Sequence, residues 1–318
     1  MASEGKDNST EVVISCKTYF SCVLLRIFPY LISVIITCGN LLIIISVIYF
    51  RQLHTPTNYL ILSLAVSDLL VGVLIIPLSR EFTSEYCLTH GGLSCTVRRC
   101  AEVTLTTASI LNLMCISLDR HYAVCQPLTY KTTMTVRVVV VMILLSWCFS
   151  LLLSIGFVVA ELNYAKCGEK CYNDVFIVNV SGPIFSFYLP MIIMICIYGK
   201  IFLVAQKQAR SIQNTTYRSR TTGATISKME RKATKTLVIV MSTFLICCCP
   251  FFIFLIIFHI NVVSVSFTVM DVLSWMVMSN SMLNPFIYAF FYSWYRSAFK
   301  ILTSGKIFQG YFSNTRLS

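Results

Sequence analysis

The chain has 318 residues, of which 57% are hydrophobic and 12% charged, and its mean hydropathy is +0.77. Soluble globular proteins carry roughly 25% charged residues, so this composition excludes the soluble class and indicates an integral membrane protein. The formal net charge of +12 follows membrane topology, as described below, and does not indicate nucleic-acid binding.

The N-terminal tail, 1–25, is short and contains an N-glycosylation acceptor at Asn8. Seven apolar stretches follow, each near the ~20 residues that cross about 30 Å of hydrocarbon as a helix. They lie at about 27–50, 58–79, 101–118, 137–160, 175–199, 236–260 and 266–290. They are apolar all round and do not alternate every second residue, which favours helices over barrel strands. We therefore predict an all-α membrane protein whose domain 26–290 is a seven-transmembrane-helix bundle.

The basic residues predict the orientation of this bundle, because cytoplasmic loops are enriched in Lys and Arg. If the N-terminus is outside, 17 of the 25 Lys and Arg residues fall on the inner side, and most carboxylates fall on the outer side. We therefore expect a multi-pass protein with an extracellular N-terminus.

Three charged sites occur where a membrane helix should be apolar: Asp68, Glu102 and the pair Asp119-Arg120. An ionisable residue inside a span is costly, so each is a functional-site hypothesis. Glu102 and Arg120 are five helical turns apart and share one face of the third span, with Ser109 near it. Such a polar stripe fits either a transport path or an outer binding site joined to an inner docking site.

Prolines occur inside the sixth and seventh spans, at Pro250 and Pro285, where the missing N–H predicts kinks. The C-terminal segment, 291–318, then begins with an amphipathic pattern suited to the inner membrane surface. It sets apolar residues against basic ones: Phe291, Trp294, Tyr295, Phe299 and Ile301 against Arg296, Lys300 and Lys306. We expect a short amphipathic helix there, followed by a cytoplasmic tail.

Ordered motifs, one per span, resemble those of rhodopsin-like (class A) G-protein-coupled receptors. They are Asn40, LAVSD (64–68), the DRHY run at 119–122, Trp147, Pro190, Tyr198, FLICCCPFF (244–252) and NPFIY (284–288). The seventh span and its end, with Asn280-Ser281, Asn284-Pro285, Tyr288, Tyr292 and Trp294, are similar to the fingerprint of the trace amine-associated receptors. Tyr295 replaces the usual final Phe, so the chain resembles a divergent member of that family.

The resemblance implies a plasma-membrane receptor with a chemosensory, olfactory role. Such a receptor binds a cationic amine and activates a heterotrimeric G protein, of the Gs type that raises cAMP. The family's ammonium-binding Asp corresponds here to Glu102, whose carboxylate can still accept charge-assisted hydrogen bonds. The alternative is a structural carboxylate that pairs with Arg98 or Arg99.

Other pocket positions follow from the same resemblance. Phe251, Phe252 and Trp275 resemble aromatic walls that make cation–π contacts with ammonium ligands; the alternative is that they are core or lipid-facing aromatics. Met278 stands where such pockets often have Tyr, and Thr106 and Ser186 are expected polar contacts.

Carboxylates at the outer rim would concentrate cations there; they are Glu81, Glu161, Glu169, Asp174 and Asp271. Relatives tuned to diamines have a second acid seven or eight residues before Pro190, where this chain has Gly182 and Pro183. A second anchor would then be Asp271 or Glu81, which gives a mild preference for a di- or polyamine. Ordinary solvated rim charges, an aromatic monoamine and a non-amine ligand remain alternatives.

A mid-membrane cluster resembles the sodium pocket of the superfamily. Its residues are Asp68, Ser109, Asn280, Ser281 and Asn284. Oxygen-rich side chains suit a hard cation, and the alternative is a water-filled hydrogen-bond network without sodium. No other metal or cofactor is expected.

The inner end resembles the family's activation switch, in which Arg120 pairs with Asp119 and with Glu230 until an agonist favours a second arrangement. The residues expected to take part are Asp119, Arg120, Tyr198, Glu230, Phe244, Pro250, Asn284, Pro285 and Tyr288. Cys248 replaces the Trp usual two residues before Pro250, so Phe244 is expected to carry more of the repacking.

Six cysteines lie on the oxidising outer side, where disulfides persist. The resemblance implies a Cys95–Cys171 bridge and a Cys16–Cys167 bridge, with Cys22 the rival partner of Cys167.

Two other classes of function compete with a receptor. A transporter predicts paired broken helices in two related halves, and the sequence has no such repeat. A membrane enzyme requires clustered catalytic groups, whereas the four histidines are scattered among different loop or span ends. We therefore predict a receptor and no enzymatic activity.

Overall fold

The computed structural model of the chain describes residues 19–81, 92–167, 172–215, 239–240, 242–257, 267–291 and 293–304. Within these ranges the chain is helical and has no β-strand. Five helices are long and apolar enough to cross a membrane: Ile27–Tyr49, Pro56–Ser79, Leu93–Cys125, Val136–Asn163 and Val180–Val204. Ser242–Ile257 is a shorter apolar helix, and Phe267–Phe291 is a helix of 25 residues. In chain order, these seven are called the first to seventh spans.

Several helices run beyond the apolar stretches that predicted them. The first helix, Tyr19–Tyr49, begins inside the predicted tail 1–25. The third, Leu93–Cys125, exceeds the apolar stretch at both ends, and the fourth continues as Val136–Cys167. Helical hydrogen bonds continue past the hydrocarbon boundary, so hydropathy marks the part of a helix in lipid and not its ends.

The second and fifth spans each contain a five-residue π-helical stretch. In the second span, Val71–Ile75 separates Pro56–Leu70 from Ile76–Glu81. In the fifth, Ile184–Tyr188 separates Tyr172–Pro183 from Leu189–Thr215. Pro77 and Pro190 follow these stretches within two residues, and a proline cannot donate the usual helical hydrogen bond. The wider turn changes the direction of the side chains outward of it, which is why such turns are frequent at functional sites.

The third span lies at the centre of the bundle, against the second, fourth and fifth. In its most apolar window 61% of the residues are buried, compared with 22% for the fourth span. Polar contacts also join neighbouring spans: Trp147 Nε1 donates to Ser63 Oγ at 3.0 Å. Because the third span is surrounded by its neighbours, most of its polar side chains are buried inside the bundle.

The first and seventh spans approach closely at a glycine. A Cβ added to Gly39 would lie 2.8 Å from the Pro285 side chain, so only glycine allows this separation. The adjacent Asn40 Nδ2 donates to the Ser281 carbonyl at 3.2 Å. The contact fixes the part of the seventh span that carries the NPFIY motif.

A helix follows the seventh span at Ser293–Thr303. Its Ala298 is buried against Phe50 and Leu53 at the inner end of the first span. Arg296 Nη1 donates to the Ala289 and Phe290 carbonyls at 3.0 and 3.1 Å, capping the end of the seventh span. Burial raises the pKa of Tyr295 to about 12. The short helix therefore lies where the amphipathic pattern predicted it.

Candidate functional site

Glu102 lies in the third span, two helical turns inward of Cys95. Its Oε2 is 3.7 Å from Nη1 of Arg98, one turn outward. This distance is longer than a hydrogen bond, and nothing in the described ranges donates one to the Glu102 carboxylate. The other expected rival partner, Arg99, pairs instead with Glu161 of the fourth span at 3.0 Å. Glu102 thus has a cation nearby but keeps its acceptor sites open.

Arg98 is buried to an unusual degree for an arginine, with 8% of its surface exposed. Its Nη1 donates to Ser79 Oγ of the second span at 3.4 Å. Its Nε has no acceptor within the described residues. The sequence indicated Arg98 as a rival partner of Glu102, but its burial and its contact with Ser79 follow only from the packing of the second and third spans.

The Glu102 carboxylate interacts electrostatically with the charges of Arg98, Arg99 and Asp271. Asp271, one of the expected second anchors, is in the first turns of the seventh helix. The other, Glu81, ends the helix Ile76–Glu81, and its side chain lies outside the described part of the chain, as do the side chains of Glu169 and Asp174.

Two of the expected aromatic walls lie in a ring cluster between the fifth and sixth spans. Phe252 stacks on Phe187 with ring centroids 3.8 Å apart and planes 4° apart. Phe251 meets Phe252 edge to face at 5.3 Å, and Phe244 lies 5.9 Å from Phe187. Tyr188 Oη donates to the Phe252 carbonyl at 2.6 Å. Phe252 is buried in the main core cluster.

Phe187 and Tyr188 were not identified from the sequence. They belong to the π-helical stretch Ile184–Tyr188, where an ordinary helical wheel assigns the wrong face. Ser186, an expected polar contact, is buried in the same stretch. Its position therefore depends on the same irregular turn.

Trp275 and Met278 belong to a second apolar cluster, formed with residues of the first to third spans that include Ile36 and Leu105. The structure therefore divides the expected aromatic walls into two groups. A cavity of about 20 Å³ is lined by residues of both clusters, Phe244 from the first and Met278 from the second. Expected site residues line it: Thr106, Ser109, Phe244, Met278, Asn280 and Ser281, together with Cys248. Its volume has room for about one water molecule.

The Asp68 cluster lies next to this cavity. Ser281 Oγ and Ser109 Oγ donate to Asp68 Oδ1 at 2.8 and 3.2 Å. Asn284 Nδ2 donates to Asp68 Oδ2 at 2.8 Å. Asp68 is fully buried, so these donors replace the water it would otherwise bind. Asn280 is buried and lines the cavity. The second, third and seventh spans thus meet on one carboxylate.

At the inner end, Asp119 is fully buried and holds Arg120. Arg120 Nε donates to Asp119 Oδ2 at 2.9 Å, and Arg120 also contacts Thr57. Thr57 Oγ1 donates to Asp119 Oδ2, and Tyr130 Oη donates to Oδ1, both at 2.8 Å. Burial and the Asp119 charge raise the pKa of Tyr130, which keeps its hydroxyl protonated as a donor.

Most of the other expected switch residues are among the described residues. Ser117 Oγ donates to Tyr198 Oη at 3.0 Å, and Tyr288 and Phe244 are buried in the main core. Pro250 and Pro285 lie within the sixth and seventh spans, whereas Glu230 is outside the described residues. An inner cavity of about 610 Å³ is lined by His121, Gln126, Lys200 and Lys207 together with the apolar Leu203 and Val204.

The outer cysteine pairings and the glycosylation site remain predictions. Cys95 is buried at the start of the third span, but Cys171, Cys16 and Asn8 are outside the described residues, and so is the Cys167 side chain.

Comparison with known proteins identifies related sequences. Residues 39–288 match the family described as 7 transmembrane receptor (rhodopsin family). The chain is 43% identical over 287 residues to Trace amine-associated receptor 1 of Macaca mulatta, covering 85% of each protein. It is 41% identical over 301 residues to the Homo sapiens protein of that name, covering 89% of this chain and 88% of the relative. Trace amine-associated receptor 9 of Mus musculus is 39% identical over 293 residues, covering 88% and 84%.

Proposed function

This chain belongs to the rhodopsin family of seven-transmembrane receptors, as a G-protein-coupled receptor of the trace amine type, and we propose that it binds a cationic amine through Glu102. Membership makes it a multi-pass plasma-membrane protein whose partners are a ligand and a G protein. The family is one of receptors, not of enzymes. The ligand, the residue that anchors it and the signal that follows are what we propose here.

The observation that carries the amine proposal is the state of the Glu102 carboxylate. It lies in a membrane span, 3.7 Å from Arg98, and within the described ranges it accepts no hydrogen bond. The Glu102 side chain is only about a quarter exposed, and a carboxylate largely removed from water without hydrogen bonds is costly. An alkylammonium would supply charge-assisted hydrogen bonds to it. The site therefore gains most from a ligand with N–H donors and positive charge.

A second carboxylate supports the mild preference for a di- or polyamine. Asp271 is among the charges that act on Glu102, so a ligand with two ammonium groups would find two acids on facing spans. Glu81 is the other proposed anchor. An aromatic monoamine is the second choice, because part of the expected aromatic wall, Phe252, is packed into the core.

The signal that we propose is activation of a Gs-type G protein, with a rise in cAMP. Ligand binding at Glu102 would favour an arrangement in which Arg120 leaves Asp119 and faces the G protein, which requires different ligand affinities for the two arrangements. The hydrogen bonds from Arg120 to Asp119 and to Thr57 are the contacts that this change must break. A chemosensory role is part of the proposal.

On the extracellular side, we propose that the N-terminus lies outside the cell and that Asn8 is glycosylated. Cys95 would pair with Cys171, and Cys167 with Cys16 or Cys22. These bridges would hold the outer loop and the tail over the mouth of the site.

We also propose sodium as an allosteric ion at Asp68. The donor set consists of a carboxylate, two serine hydroxyls and two asparagine side chains, Asn280 and Asn284, and oxygen ligands of this kind suit a hard cation. The ion would be held by Asp68 with Ser109 and Ser281, whose hydroxyl groups already lie within hydrogen-bond distance of the carboxylate. A water network without sodium remains the alternative.

The amine proposal is tested with Glu102→Gln in cells that express the full chain, using cAMP as the readout. The ligand panel contains monoamines and diamines of increasing length. Losing charge-assisted hydrogen bonds at the anchor should weaken every active amine by roughly 10- to 100-fold or abolish its response. Diamines should outperform monoamines of equal length if Asp271 is the second anchor.

Glu161→Gln is the matched control. Glu161 is also an outer-side glutamate, but it is half exposed and pairs with Arg99, so its loss should leave amine potency within a few-fold of normal. Surface labelling is used to check that both variants reach the membrane. Unchanged potency in Glu102→Gln would refute the anchor.

A further inference from the structure

We propose that the ligand carries a carboxylate beside its ammonium group, so that the Arg98–Glu102 pair binds an amino acid or a close zwitterionic analogue; this inference rests on the amine-binding role proposed for Glu102. The two side chains lie one helical turn apart on the third span. Their charged groups are 3.7 Å apart at the closest atoms. The site therefore presents a fixed cation and a fixed anion side by side.

The burial of Arg98 is the first observation behind this inference. Only 8% of its surface is exposed, which is rare for an arginine unless it is paired. Within the described ranges its only hydrogen bond is to Ser79 Oγ, at a long 3.4 Å, and its Nε has no acceptor there. The guanidinium thus has donor capacity that the described residues leave unused.

The second observation is the balance of charge when an amine binds. An ammonium that takes the Glu102 carboxylate deprives Arg98 of its counter-ion and adds a second cation beside it. Leaving a buried charge without a partner is strongly unfavourable. A ligand carboxylate would accept hydrogen bonds from the guanidinium, including its Nε, in the paired geometry that arginine favours. The buried Arg98 and the partly buried Glu102 then each keep a partner.

The spacing indicates which amino acids fit. In an α-amino acid, one carbon atom separates the carboxylate carbon from the ammonium nitrogen, so the two charged groups are adjacent, as Arg98 and Glu102 are. An amino acid with its two groups at opposite ends of a long chain would reach only one of the pair. Asp271, in the first turns of the seventh helix, is the acid proposed above for a second ammonium, as in lysine.

The experiment compares amines with amino acids that differ from them only by the carboxylate, in cells expressing the full chain and washed into amino-acid-free buffer. The probes are 2-phenylethylamine with phenylalanine, 3-methylbutylamine with leucine, and 1,5-diaminopentane with lysine. The methyl ester of each amino acid keeps the bulk but removes the negative charge. For at least one pair, the acid should activate at about a tenfold lower concentration than its amine and its ester.

Three variants separate this inference from the proposal on which it rests. Arg98→Gln should remove the advantage of the acid while the amine still responds, and Arg98→Lys should keep part of it. Glu102→Gln should weaken acid and amine alike. Arg99→Gln is the control, since Arg99 pairs with Glu161 on the half-exposed rim, and the ratio of acid to amine potency should not change.

The unmodified receptor already decides the inference, whether or not the Arg98 variants reach the surface. If every amine equals or exceeds its amino acid, and the esters match the amines, the zwitterion inference is wrong. A loss of amine response in Glu102→Gln would then still support the amine proposal. If Glu102→Gln changes neither amine nor acid potency, the amine proposal itself fails.

Discussion

Asn284 donates a 2.8 Å hydrogen bond to the buried carboxylate of Asp68, which joins the seventh span to the second in the middle of the bundle. Ser281 and Ser109 occupy the other oxygen of the same carboxylate. A change in the position of the seventh span must break or replace these bonds. The cluster lies next to the cavity that Thr106 and Met278 line, so it adjoins both the outer site and the NPFIY motif.

Asp68→Asn should abolish any dependence of agonist potency on sodium. In the unmodified receptor, replacing sodium by choline at constant ionic strength should raise potency, because an ion at Asp68 would favour the inactive arrangement. The variant lacks the negative charge that would hold the ion. The measurement is a concentration–response curve in each salt. Ser46→Ala is the control, since that hydroxyl bonds only the carbonyl of Leu42 within its own helix. The same salt dependence in Asp68→Asn would favour the water network.

The polar cluster at mid-membrane was the part of the site most accessible from the sequence. Asp68 is conspicuous in an apolar span, and the motif order indicated Ser109, Ser281 and Asn284 as its neighbours. The cost of an unpartnered carboxylate in this environment limits the arrangements available to it. The number and order of helices were predictable for a similar reason, because a membrane permits few backbone solutions.

The aromatic cluster was not predictable in this way. The fifth span is apolar on all sides, so its sequence does not show which face is buried. The π-helical stretch Ile184–Tyr188 adds to the difficulty, because one extra residue in a turn shifts the helical phase by about 100°. The stacking of Phe187 on Phe252 depends on that shift. The contact between Arg98 and Ser79 likewise depends on how closely two spans pack.

Tyr130→Phe should raise basal signalling. It removes the hydroxyl that donates to Asp119 Oδ1 at 2.8 Å. The Asp119 carboxylate is then held less firmly, and it should in turn hold Arg120 less firmly. Losing one hydrogen bond worth about 1 kcal/mol corresponds to roughly a fivefold shift between the two arrangements. The measurement is cAMP without ligand, normalised to surface expression. Thr129→Ala is the control, because Thr129 is exposed and its side chain bonds only to Gln126. Equal basal cAMP in Tyr130→Phe and the unmodified receptor would contradict this role.

Gly39→Ala should destabilise the receptor. An added Cβ would lie 2.8 Å from the rigid Pro285 side chain, so the first and seventh spans must separate, at a cost of about 1–3 kcal/mol. The measurement is the apparent melting temperature of detergent-solubilised receptor. Gly156→Ala is a matched control, since a Cβ there meets nothing within 4 Å and alanine favours the helix. If the two variants have the same melting temperature, the close approach of the first and seventh spans at Gly39 is not important for stability.

Asn112→Leu should stabilise the receptor. Asn112 is fully buried in the third span, and neither its Nδ2 nor its Oδ1 has a hydrogen-bond partner in the described ranges. An unsatisfied buried amide costs about 1–3 kcal/mol, and leucine has a similar volume without polar atoms. The apparent melting temperature should therefore rise by about 2–6 °C.

Asn40→Leu is the matched comparison for this prediction. Asn40 is as fully buried, but its Nδ2 donates to the Ile36 and Ser281 carbonyls at 3.0 and 3.2 Å. Replacing it removes a link between the first and seventh spans and leaves the Ser281 carbonyl without that donor, so the melting temperature should fall. Opposite shifts in the two variants would show that the hydrogen bonds, not burial of the amide, decide the effect. If the melting temperature also falls in Asn112→Leu, an ordered water pairs with the Asn112 amide. Replacing an amide destabilises the receptor only where that amide has hydrogen-bond partners.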